Sequence, residues 1–245
     1  MKHYICFAFL LLGFSINAQN NVATGVSDVD SIFSPKLTGE IYIREGNHKG
    51  GLFFNNKWVN GTILLSTGAM VYGKDLKYNG YLDEVVWLNN TSFKQFKLDK
   101  SYICDFWIKD SLNTPVHFKR MNVRDSTASH PSDIFAEVAI EGKISLYIQR
   151  KISRMEDEII QVDNGRYYIS VFAPTPIYYI KLPSNRYLKM NRLRRRAFLN
   201  FFPEQKESIS KLIKKNHLNL KSESGLIEAI DLMNKNLDFN LFLKE

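Results

Sequence analysis

Few residues in this chain could do chemistry, and they are scattered. Beyond position 18 the histidines are His48, His117, His130 and His217, and Cys104 is the lone cysteine. None of them has a second His, Cys or carboxylate at the spacing of a zinc site, so neither metal nor cofactor is expected. His48 sits in REGNHKGG, which lacks the lysine spacing and strand-to-helix context of a phosphate loop, and reads as a turn. The run SHPSD, Ser129 to Asp133, holds a serine, a histidine and an aspartate. Triad members must converge in space, which neighbours this close rarely do, and no G-x-S-x-G elbow occurs elsewhere. Ser132 and Asp133 therefore read as loop or turn residues. Paired carboxylates could serve acid–base chemistry, yet Asp83-Glu84 and Glu156-Asp157-Glu158 are adjacent in sequence. On a strand such neighbours point to opposite faces, so solvated faces or hairpin tips are expected. The expectation is a protein that is not an enzyme, a hydrolase with a site hidden from sequence being the third reading.

Two other groups favour binding over catalysis. Trp58, Trp87 and Trp107, with Phe53, Phe54, Tyr78 and Tyr81, are an aromatic supply that either packs a curved sheet or lines an apolar ligand cavity. The stretch NRLRRRAFLNFF, Asn191 to Phe202, sets four arginines beside three phenylalanines. On a helical wheel Arg192, Arg195 and Arg196 share one side. Phe198, Phe201 and Phe202 take the other, and Arg194 must snorkel from the apolar half. The formal net charge is +8, and Lys181 to Lys221 holds twelve lysines and arginines against Glu204 and Glu207. That asymmetry suggests a partner surface, with Arg192, Arg195, Arg196, Lys214 and Lys215 as its contacts. An envelope protein or an anionic lipid surface would suit it. Arginines in a helix's first turn also oppose the macrodipole, a local conflict of the kind that marks function or a nearby carboxylate.

These residues need elements to hold them. From Gly39 onward, short runs rich in Ile, Val, Tyr, Phe and Trp are bounded by Gly, Asn, Asp or Ser, the pattern of antiparallel strands. Ser66-Thr67-Gly68, Asp163-Asn164-Gly165 and Pro183-Ser184-Asn185 read as hairpin turns. Pro174 and Pro176 suggest an edge or a crossing loop. SYICDFWIK reads as a strand burying Cys104. After Met190 the apolar period lengthens to that of helices. Leu193, Ala197 and Phe201 mark the first, and Pro203 fits the first turn of a second carrying Ile209, Leu212, Ile213 and a Glu207–Lys211 pair. Ser222 or Ser224 caps a third, through Leu226, Ile230, Met233 and Leu237. Strands first and helices afterwards give an α+β protein, a predominantly antiparallel curved sheet, sandwich or open barrel followed by two or three C-terminal helices.

The N-terminus bears on location. Lys2, the apolar run Tyr4 to Ile16 and the small residue Ala18 read as a secretory signal peptide over residues 1–18, too short to span a bilayer. A flexible leader over 19–38, a β-rich domain over 39–190 and a helical appendage over 191–245 follow. No later stretch reads as a transmembrane helix, and export argues against nucleic acid as partner. The whole layout resembles a group of uncharacterised exported proteins of Bacteroidetes. The likeness is carried by GGLFFNNKWVNGTILLSTGAMVYGKDLKYNGYLDEVVWL, AEVAIEGKISLY and LRRRAFLNFFPEQKESISKLIKKNHLNLKSESGLIEAIDLMN. It implies a cell-envelope location and transfers no catalytic residue. The signal peptide leads to the expectation of periplasm or cell envelope, with secretion as an alternative. A non-catalytic contact protein is the first expectation. A carrier of an apolar molecule or lipid, using a cavity near Trp58, Trp87 and Trp107, is the second.

Overall fold

Two of the expected turns fix strand register directly. Gly68 adopts φ +83°, a conformation glycine reaches without steric cost, and its N–H donates to the Leu65 carbonyl at 2.9 Å. Asn185 likewise takes φ +61° and donates to Leu182. The computed structural model describes residues 37–124, 131–162 and 165–237, all within one compact unit from Pro35 onward. Residues 1–36, with the expected signal peptide, and Asp163-Asn164 of the third turn lie outside them.

The first strands are β1 (Gly39–Ile41), β2 (His48–Lys49), β3 (Val59–Leu65), β4 (Met70–Asn79), β5 (Glu84–Asn89) and β6 (Lys94–Leu98). A second series comprises β7 (Ile103–Lys109), β8 (Pro115–Val123), β9 (Ser132–Ile140) and β10 (Ser145–Gln149). After β11 (Ile152–Arg154), β12 (Glu158–Val162) and β13 (Gly165–Pro174) come β14 (Ile177–Lys181) and β15 (Tyr187–Met190). Eleven strands form one antiparallel sheet in the order β1-β6-β5-β4-β3-β7-β8-β9-β10-β14-β15. A smaller sheet pairs β13 with β11, β12 and, in parallel, β2. The protein is thus an antiparallel β structure followed by helices, as its patterning indicates. Pro174 and Pro176 flank the crossing from the small sheet to the large one.

The large sheet must curl. Three strands separate β6 from β7 in its order, about 19 Å across a flat sheet. The four linking residues include a 3-10 turn, Lys100–Tyr102, and cover that distance only if the sheet bends. Curling also lets the Tyr78 ring of β4 reach Phe118 of β8 at 5.0 Å, although two strands lie between them. Tyr78, Phe106, Phe118 and Phe135 are fully buried and fill the concave interior, with Phe106 stacked on Phe118 at 4.8 Å.

Three helices cover the other end of that same face: α1 (Arg195–Asn200), α2 (Lys206–Lys215) and α3 (Glu223–Asn236). Cross-strand partners share a face, and Phe118, Glu137, Ile148, Tyr178 and Met190 form one row of partners across β8 to β15. Its first residue lies in the aromatic core. Its last three lie in the core beneath the helices, with Phe198, Phe202, Ile209, Ile213, Leu226 and Ile230. Ser222 caps α3 by accepting from the Gly225 N–H. At the far end of α3 the Asn234 amide accepts from Ile144 N–H and donates to its carbonyl, both at 2.8 Å.

Between the two cores runs a polar seam. Arg150 donates through Nε to Glu137 and through both terminal nitrogens to Glu223, at 2.8 Å each, and Tyr178 donates to Glu223 at 3.2 Å. Burial opposes the charge on Arg150, but its hydrogen bonds to Glu137 and Glu223 outweigh that cost and raise its pKa. Burial first, then the Glu223 charge, push the Tyr178 hydroxyl up to about 12. The folded state therefore holds this proton more tightly than the unfolded chain, whose tyrosines titrate near 10. The resulting stability is complete below pH 10 and drains away as pH rises toward 12. Urea unfolding from pH 9 to 12 is expected to show a loss on the order of 2 kcal/mol from this group. Tyr78, raised in the same direction, adds to it. Tyr178→Phe should flatten the decline, and an unchanged slope in that variant would contradict the assignment.

Candidate interaction surface

The basic segment becomes a surface because its apolar residues are used elsewhere. Phe198 and Leu199 face the core from α1, and the chain then turns at 201–205, with Pro203 outside α2 and not in its first turn. On α2, Ile209 and Ile213 face inward, which turns Lys211, Lys214 and Lys215 to solvent. Helix α1 begins only at Arg195. Arg194 is its N-cap in extended conformation, φ −141° and ψ 126°, so it stands outside the helix and has nothing to snorkel past. Arg192 precedes it in a bend, and the shared helical side expected for Arg192, Arg195 and Arg196 reduces to the last two. All four arginines are nonetheless exposed.

Arg195 bridges the two helices, its Nη2 donating to Ser210 Oγ at 2.9 Å. Lys206 and Lys214 lie four residues to either side of Ser210, on the same row of α2. The guanidinium thus settles among like charges. Among the described residues, no carboxylate comes within ion-pair distance of Arg192, Arg194, Arg195, Arg196, Lys206, Lys211, Lys214 or Lys215. The expected Glu207–Lys211 pair does not close either. Lys214 and Lys215 suit the C-terminus of α2, whereas Arg195 and Arg196 oppose the dipole of α1. Among the described residues no carboxylate compensates the arginines.

The tryptophans do not gather. Trp87 packs against the aromatic core from the concave face and stacks on Phe96 at 5.6 Å. Trp107 stacks on the His117 ring at 4.6 Å, and His117 in turn meets Asp105 at 2.7 Å. Trp58 lines an open cleft of about 260 Å³ with Tyr42, Phe53 and Lys77. A second depression, about 300 Å³, lies at the end of the concave core beside Leu37, Leu65, Leu98 and Ile103, with no tryptophan in its wall.

The other chemical candidates take structural positions. His48 bonds the Gly46 carbonyl and edges onto Phe172. Ser132 opens β9 instead of a loop, Asp133 pairs with Arg120, and Ser129 and His130 lie outside the described residues. Asp83 sits at a hairpin tip, at φ +58°, but it is not simply solvated. It accepts from Tyr78 Oη at 2.6 Å, Lys100 Nζ at 2.6 Å and the Phe135 N–H, tying the β4–β5 turn across to β9. Cys104 is half-buried in β7, less enclosed than its flanking residues suggest. Sequence reasoning passed over Arg150, because a charged residue beside Lys151 near the end of the run KISLYIQRKI carries no mark of burial.

Among the described residues no helix is long and apolar enough to cross a membrane, and no group of three or more His, Cys, Asp or Glu could hold a metal ion. Comparisons with protein-family models, curated proteins and solved structures gave no match.

Proposed function

We propose that the protein acts by contact, without catalysis, docking the basic face of α1 and α2 onto an anionic surface of the cell envelope. The observation that supports this is the set of exposed cations, Arg192 to Arg196 and Lys206 to Lys215, without a carboxylate partner among the described residues. Unpartnered like charges repel one another, and a polyanionic surface relieves that repulsion while steering approach. The signal-peptide reading of residues 1–18 places such a surface outside the cytoplasm, where a leaflet of anionic lipid or an acidic protein supplies it. The carrier reading draws its support from the apolar depression beside Leu37 and Ile103. The concave interior itself is filled by aromatic rings.

Changing Arg192, Arg195, Arg196, Lys214 and Lys215 to Gln should leave unfolding free energy within about 0.5 kcal/mol per site, as surface substitutions usually do. The same variant should lose most of its binding to mixed phosphatidylcholine–phosphatidylglycerol vesicles. Wild-type binding should itself weaken with added salt, since the screening length is only about 10 Å at 0.1 M. Equal binding by variant and wild type would end the contact reading for lipid. Retained, charge-dependent binding to isolated envelope without vesicle binding would point to an acidic protein.

A further inference from the structure

The cleft at Trp58 holds a second, separate group of cations without ion-pair partners among the described residues. Lys77 on β4 lies across from Trp58, one step beyond the Val59–Leu76 pair. Its ammonium sits 4.7 Å from the Trp58 ring centroid and 5.1 Å from that of Phe53. Tyr42 closes a corner edge-on to Phe53 at 6.1 Å, its hydroxyl fixed by the Asn79 amide. Arg44 and Glu45 stand at the rim. Among the described residues neither Lys77 nor Arg44 has a carboxylate within ion-pair distance, Glu45 included. Burial, and then the like charge of Arg44, disfavour the charged form of Lys77. Two cations and one carboxylate, Glu45, line this aromatic-walled cleft, and neither cation is ion-paired, so its charge balance favours an anion. At about 260 Å³ the cleft is of a size that suits a ligand of about one ring.

We propose that this cleft binds a small ring-bearing organic anion, its carboxylate received by Lys77 and Arg44 and its ring laid against Trp58 and Phe53. Aromatic acids and acidic sugars share this chemistry. The site has no residue in common with the basic helices, so neutralising those helices should leave it unchanged.

Trp58 supplies the reporter. Benzoate and glucuronate are titrated against the full chain by tryptophan fluorescence and by calorimetry, beside their neutral counterparts benzyl alcohol and glucose. At least one anion should saturate, with its neutral counterpart about tenfold weaker or more, as loss of a charge-assisted contact implies. The response to benzoate or to glucuronate then decides between the two sources. Lys77→Met, which keeps an apolar stem, should weaken the anion about tenfold. Trp58→Phe should abolish the fluorescence change while calorimetric binding persists. Arg44→Gln, at an exposed position, gives a second charge test independent of the packing around Lys77. Absence of saturation by both anions up to about 10 mM overturns the proposal. So does equal binding of the neutral counterparts, or full affinity in both charge variants.

Discussion

The Phe202→Ala variant unfolds about 3–5 kcal/mol more easily than wild type, by the usual cost of removing a buried aromatic ring. Phe202 has no exposed surface, and Phe198 beside it, 5.4 Å between ring centres, has only 1%. Both rings lie in the core that joins the helices to Ile148, Tyr178, Ile180 and Met190. An alanine there leaves a cavity that two packed elements cannot collapse to fill. Phe201→Ala is the internal contrast. That ring is half-buried at the edge of the same core, so its loss costs clearly less. Urea denaturation of the two variants checks the order, and equal losses would show that the helical cover is not seated as described.

Arg150→Met should be comparably severe, about 3–5 kcal/mol, because it strands two carboxylates that the fold holds together. The Arg150 side chain retains 21% of its accessible surface, Glu137 14% and Glu223 30%, so solvent cannot fully replace the lost partner. Glu223 opens α3, which makes local detachment of that helix the first consequence. Hydrogen exchange should therefore rise in residues 223–236 before the concave aromatic core is affected. Combining Arg150→Met with Glu137→Gln and Glu223→Gln should recover much of the loss, since no charge is then stranded. A triple variant no more stable than the single one would contradict an electrostatic origin.

The contrast between Phe201 and Phe202 also shows what sequence could and could not convey. A period near 3.6 located the helices, and Ile209, Ile213, Leu226, Ile230 and Met233 are buried where it placed them. It missed the phase of α1, because six residues define a wheel poorly and the helix starts at Arg195, a turn later than the arginine run suggests. Turn chemistry at Gly68 and Asn185 was legible because positive φ selects few residue types. Pairing between β3 and β7, or β1 and β6, was not, since each joins segments far apart in the chain without a local mark. The same holds for Arg150, whose partners lie 13 and 73 residues away. The aromatic residues were recognised as core or cavity material. Only the curl decides that Tyr78 and Phe118 fill the interior while Trp58 faces a cleft.

Gln149 of β10 faces Ile177 of β14 in the ladder, and just beyond them the Thr175 N–H bonds the Lys151 carbonyl at 2.8 Å. The strands between, β11, β12 and β13, leave the large sheet, and the chain returns to nearly the same point. That excursion is an insertion in form: a tight turn in its place would let β10 and β14 continue as a simple hairpin. It also carries the exposed Ile159, Tyr167 and Tyr168. The neck at Lys151 and Thr175 is thus a graft point that preserves the order of the parent sheet. A replacement module must also cover β2, which pairs with β13, and Leu52, which packs against Ile152 and Phe172.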